Sequence, residues 1–162
     1  MTALRTQEAL RAVYEEHYVP LVRLCILLTG DKHAAEDIVQ DAFVRAAPRI
    51  DKVSPPRFRP YLRRAAVNLW KNRLRSLTRE RRARGWSVTN VPAAGLSHED
   101  RAVLRSAVLR LPRRRRACIV LRYYEDLPER EVASLLGCSV GTVKSQTSRA
   151  LTRLRKELEG EA

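Results

Sequence analysis

The chemistry this sequence offers lies in rows of hydrogen-bonding side chains rather than in a nucleophile. In the stretch Leu127–Leu158, LPEREVASLLGCSVGTVKSQTSRALTRLRKEL, the residues Gly141, Thr142, Ser145, Ser148 and Arg149 share one face at helical spacing. Lys144 and Gln146 stand on the shoulders of that face. Small residues and hydroxyls let a helix sit deep in a major groove, where a guanidinium reaches base edges. An ordinary helical hairpin with a polar outer face is the plainer alternative. A second row, Arg63, Arg64, Asn68, Lys71, Asn72, Arg75 and Arg79, combines cations that can follow phosphates with amides that can bond base edges. Phe58, Tyr61 and Trp70 add rings of the kind that stack on unpaired bases. Any one ring here is more readily core than platform, Trp70 included.

A third cluster has the opposite sign. Asp37, Gln40, Asp41 and Val44 lie together by three- and four-residue spacing. Residues 31–51 hold five acids against three bases, within a chain that has 32 Lys+Arg, 18 Asp+Glu and a net charge of +14. Either this is a solvated face, or it meets a basic protein partner. The overall charge favours nucleic acid or an acidic surface as partner.

Enzymatic chemistry finds little support. His17, His33 and His98 are scattered, and only His33 with Glu36 and Asp37 could share a metal on one helical face. No GxxxxGK[ST] loop, GxSxG elbow or nucleophile beside a base occurs, so no catalytic residue, cofactor or metal is expected. Cys25, Cys118 and Cys138 are odd in number and widely spaced, which reads as three reduced cytosolic thiols. The polar start and the short, Arg23-interrupted apolar run Leu21–Leu28 argue against a signal peptide or a membrane span. A cytoplasmic location without membrane insertion is expected.

The elements that must position these rows are helices. Residues 6–28 carry helical apolar spacing, and Pro20 should kink or divide them. Gly30 stops that helix and Asp31 caps the next, about 32–47, whose inward row is Ala35, Ile38, Val39, Ala42, Phe43 and Ala46. The proline-bearing segment 51–60 reads as a stiffened loop, followed by a long basic helix over about 61–82. Leu62, Ala65, Ala66, Leu69 and Leu77 should mark its buried side. Residues 57–84 hold eleven bases and one acid.

Residues 85–96, GWSVTNVPAAGL, are uncharged and aperiodic and read as a linker. Ser97 with Asp100 should cap a helix lined by Val103, Leu104, Ala107 and Val108. Pro112 breaks it, and the Arg113–Arg116 block should start the next helix as a phosphate-contacting or solvated turn. The last pair of helices is punctuated by Pro128, Gly137 and Ser139, with Val143, Thr147, Ala150, Leu151, Leu154 and Leu158 facing inward. Residues 1–84 carry eighteen bases against nine acids, and 101–162 fourteen against seven. Both halves are basic and no strand-like alternation is visible. The fold class is all-α: two small helical domains, 1–84 and 97–162, joined by a flexible linker, 85–96.

Three quoted segments carry a family resemblance: LTGDKHAAEDIVQDAFVRA, YLRRAAVNLWKNRLR and LRYYEDLPEREVASLLGCSVGTVKSQTSRALTRLR. In order and spacing the chain resembles a bacterial RNA polymerase sigma factor of the extracytoplasmic-function (ECF) group of the sigma-70 family. The first two segments look like region 2, and the third looks like region 4. The resemblance implies a transcription initiation factor that binds core polymerase and helps to open promoter DNA. It implies that Asp37, Gln40 and Asp41 dock on the clamp helices of the largest polymerase subunit. On the same match Asn68 and Asn72 contact the non-template strand of the minus-ten element, and Arg63, Arg64, Lys71 and Arg75 hold its backbone. The loop 53–60, with Phe58, takes the place of the family's specificity loop. Gly141, Thr142, Lys144, Ser145, Gln146, Ser148 and Arg149 would read the minus-thirty-five element. The flap of the second-largest subunit and an anti-sigma factor complete the expected partners.

Departures from the family pattern are Thr147, where a larger aliphatic residue is usual, and Gln146, where Arg is common. The linker is short of acids apart from Glu99 and Asp100 at its end, so no template-mimicking role is assigned to it. A stand-alone LuxR-like helix-turn-helix regulator is the alternative. It accounts for the C-terminal half but leaves the acidic row and the Asn-bearing helix without purpose.

Overall fold

Thr29, Gly30 and Asp31 form the corner on which the first helical unit turns. The computed structural model describes residues 2–84 and 99–160, which divide between two compact units, Met1–Ser87 and Val88–Ala162. Helix α1 (Thr2–Thr29) ends where Gly30 takes φ 76° and its N–H donates to the Ile26 carbonyl at 2.8 Å. Asp31 then caps α2 (Lys32–Ala46), its carboxylate accepting from the Ala34 N–H at 2.6 Å. The buried residues of α2 are Ala35, Ile38, Val39, Ala42, Phe43 and Ala46, the inward row that periodicity assigns.

Pro20 does not divide α1: one helix runs through it. The missing N–H forfeits a single bond, and the carbonyl it would have met belongs to exposed Glu16, where water can replace it. Tyr14 and Tyr18 of α1 stack with centroids 4.6 Å apart, and Phe43 of α2 lies 5.0 Å from Tyr14.

The proline-rich connection is more ordered than a loop. Two 3₁₀ turns, Ala47–Lys52 and Pro55–Arg57, lead directly into α3 (Phe58–Arg84). Pro60 therefore lies in the first turn of α3, where a backbone N–H has no partner to lose. α3 packs on α1 and α2. Its buried residues include Leu62, Ala66, Val67, Leu69 and Trp70, while Ala65 and Leu77 are only half-buried.

In the second unit, α4 (Glu99–Arg110) and α5 (Arg113–Ile119) both pack against the final helix, and Pro112 stands at the cap position of α5. The linker 85–96 and Ser97 lie outside the described residues. α4 buries Ala107, Val108 and Leu109, but Val103 and Leu104 are exposed, contrary to expectation.

The arginine block is also corrected at one member. Arg116 is buried and its Nη1 donates to the Leu109 carbonyl at 2.7 Å, stitching α5 to the end of α4. Burial, with Arg113 adding repulsion, pulls its pKa down to about 10, so it stays charged at neutral pH. α5 continues into a π-helical turn, Val120–Tyr124, where Arg122 Nη1 donates to the Leu127 carbonyl at 3.0 Å.

Helices α6 (Glu129–Leu136) and α7 (Val140–Leu158) close the unit. α7 buries Val143, Thr147, Ala150 and Leu154; Leu151 and Leu158, expected inward, are exposed at the margins of the stripe. Thr147 is the polar exception, because its Oγ1 is shut off from water and has no hydrogen-bond partner among the described residues. Exchanging it for an apolar group of like shape removes that desolvation cost. Thr147→Val is expected to raise stability by about 1 kcal/mol, measured as a higher urea midpoint with an unchanged slope.

Candidate nucleic-acid interface

The helix-turn-helix is built by three local devices. Glu129 and Glu131 stand in the first turn of α6, where acidic groups complement the helix dipole. Gly137 takes φ 69°, a left-handed conformation that a side chain would strain, and its N–H returns to the Ala133 carbonyl at 2.9 Å. Ser139 caps α7, its Oγ accepting from the Thr142 N–H at 3.1 Å.

These devices present the outer face of α7. Gly141, Lys144, Ser145, Ser148 and Arg149 are exposed, and Thr142 and Gln146 are half-buried. Two hydroxyls are already engaged locally. Thr142 Oγ1 lies 2.9 Å from Ser139 Oγ, and Ser145 Oγ donates to the Thr142 carbonyl at 3.0 Å. Thr142 therefore belongs partly to the cap, whereas Ser148 and Arg149 make no hydrogen bond through their side chains among the described residues. At Gly141 an added Cβ would approach only Ser139 Oγ, at 3.8 Å. No packing demand of the protein calls for glycine there, and its effect is to keep the surface of α7 low.

In the first unit, α3 displays Arg64, Asn68, Asn72, Arg75 and Arg79 to solvent, with Lys71 half-buried beside them. Arg63 and Phe58 do not join this row. Arg63 is 7% exposed and Phe58 9%, so both lie within the helical packing and neither faces outward as the sequence reading held. The signal was available: Arg63 is three, four and seven residues from Ala66, Val67 and Trp70, which places it on the apolar stripe. Phe58 is four residues from Leu62 on the same stripe. Trp70 is core, as its neighbours suggest.

The acidic row of α2 is fully outward. Asp37, Gln40, Asp41 and Val44 are all exposed. One neighbour was missed from the sequence: Arg73 of α3 comes within 3.7 Å of the Asp37 carboxylate. On the recognition side, Lys144 of α7 lies 3.8 Å from the Glu129 carboxylate of α6. Both pairs join different helices, so each depends on packing that local periodicity does not encode.

Comparison with known proteins followed the same division. The family model described as Sigma-70 region 2 matches residues 13–80, and that described as Sigma-70, region 4 matches residues 101–154. The chain is 36% identical over 150 residues to the RNA polymerase sigma-E factor of Streptomyces avermitilis, covering 86% of this chain and 79% of that one. It is 32% identical over 168 residues to the ECF RNA polymerase sigma factor SigW of Bacillus subtilis, covering 94% and 90%. Among solved structures it is similar to the sigma factor RpoE in complex with the anti-sigma factor NepR from Bartonella quintana. That match has a TM-score of 0.65 at 26% identity, over 98% of this chain and 96% of that one. CnrH, in complex with the cytosolic domain of CnrY, matches with a TM-score of 0.61 at 26% identity, over 96% and 91%.

Proposed function

The chain belongs to the sigma-70 family, in its extracytoplasmic-function group, and from that premise we propose how its two units divide the work of starting transcription. It is an initiation factor that directs core RNA polymerase to promoters. The family is non-enzymatic, and we assign this chain no catalytic step: polymerase supplies the chemistry, and the chain supplies recognition and strand opening. No helix among the described residues is long and apolar enough to cross a membrane. The chain would act in the cytoplasm, where its polymerase is.

In our reading, residues 1–84 dock on polymerase and hold the minus-ten element, 85–96 are the linker, and 97–162 read the minus-thirty-five element. Asp37, Gln40 and Asp41 would take the basic clamp helices of the largest subunit, and the second unit would meet the flap of the second-largest. Asn68 and Asn72 would contact bases of the separated non-template strand while Arg64, Lys71 and Arg75 follow its phosphates. Phe58 and Arg63 would support the loop 53–60 and α3 from within. Ser145, Ser148 and Arg149 would face base edges, with Gly141, Thr142, Lys144 and Gln146 around them. NepR and CnrY, bound to the two structural relatives, support an anti-sigma partner for this chain too.

The observation that carries this reading is the first unit itself: an outward acidic row on α2 beside an outward amide-and-cation row on α3. A LuxR-like regulator would need neither. Reconstitution with purified bacterial core polymerase on a promoter library tests it. Promoter-specific initiation is expected, and a chain that binds core without selecting promoters would overturn the assignment.

A further inference from the structure

The pair joining the two helices of the helix-turn-helix has a role that promoter reading leaves unassigned. Lys144 is set on the shoulder of the DNA-facing side of α7, and its ammonium lies 3.8 Å from the Glu129 carboxylate at the start of α6. The Lys144 side chain is 64% exposed and that of Glu129 35%. Arg149, on the same side of α7, makes no ion pair among the described residues. Glu157 pairs with Arg110 and Arg153 near the other end of α7. The acid is thus aimed at one cation of the recognition surface.

Such a placement matters because residues 101–162 carry fourteen bases against seven acids. A surface so basic binds any duplex through its phosphates, whatever the sequence. We propose that Glu129 is a built-in restraint on duplex binding, its carboxylate competing with phosphate for the Lys144 ammonium. Glu129 acts through Lys144 and is a positioning residue that reads no base. Its consequence is a chain that leaves non-target DNA readily and remains available to polymerase. The proposal rests on the reading of α7 as the duplex-binding helix.

A double-mutant cycle in the full chain tests it, with fluorescence anisotropy on a short random-sequence duplex and on a promoter duplex recovered from the reconstitution. Glu129→Gln keeps the side-chain shape and should raise affinity for both duplexes by roughly twofold to fivefold, the range an exposed ion pair commands. The salt dependence should steepen toward the increment of about 0.9 in log–log slope that one added phosphate contact brings. Lys144→Gln should lower affinity, and Glu129→Gln should then add nothing in that background.

An equal gain in the Lys144→Gln background would make the effect one of net charge and overturn the proposal. No gain at all, or a loss on the promoter duplex alone, would overturn it as well. A wild-type chain that binds neither duplex would remove the underlying reading of α7. Thermal unfolding by circular dichroism separates these results from a folding defect.

Discussion

Replacing Asp37 and Asp41 together by arginine is expected to abolish binding to core polymerase while the chain stays folded. Both side chains are exposed on α2, away from its buried row. The Asp37–Arg73 pair is solvent-exposed at 3.7 Å, and breaking such a pair costs about 0–1 kcal/mol. Stability should therefore change little. At the proposed interface the effect is different, because two attractive charges would become two repulsive ones against a basic partner, and like charges across an interface cost several kcal/mol. The measurement is co-elution or labelled-chain titration with core polymerase, alongside a thermal midpoint. A folded double variant that still binds core at wild-type affinity would move the docking surface off α2. Val44, exposed in the same row, is also useful: Val44→Asp makes the row more negative, so loss of binding in that variant reports contact rather than field.

Arg149→Ala is expected to cost about 1–3 kcal/mol at one base position of the upstream element, or roughly fivefold to 150-fold in binding. Arg149 stands on the exposed side of α7, and among the described residues its guanidinium has no ion pair. Truncating it leaves the helix and its buried stripe intact, and the urea midpoint should not move. The discriminating measurement is a set of promoter duplexes with each upstream base varied in turn. Relaxed selectivity at one position identifies a base contact. An equal loss on every duplex, with a shallower salt slope, identifies a phosphate contact instead.

Much of this was readable from residue order because it is local. The buried row of α2 follows helical spacing, and Gly30, Asp31, Gly137 and Ser139 each do what their backbone or side-chain chemistry favours. Some readings failed because charge was allowed to outvote period, others because period overreached, as at Val103, Leu104, Leu151 and Leu158, which are exposed. Arg63 and Arg116 carry full charges and are buried, and Phe58 was placed in a loop when the helix had already begun. At Pro20 the local rule allows a kink or a break, and of the two the break does not occur. Arg73 and Glu129 were invisible in their roles, since each meets its partner only after two helices come together.

The continuity of α3 through Asn68 and Asn72 has one more consequence, which concerns length rather than charge. Four residues of α-helix advance roughly 6 Å, whereas neighbouring nucleotides of a stacked duplex strand advance only about 3.4 Å. With α-helix unbroken from Phe58 to Arg84, the backbone positions of the two asparagines cannot move closer together. A strand that offers adjacent bases to both must already be drawn out. The helix is then a gauge as well as a surface, one that adjacent bases of a stacked strand lie too close together to span.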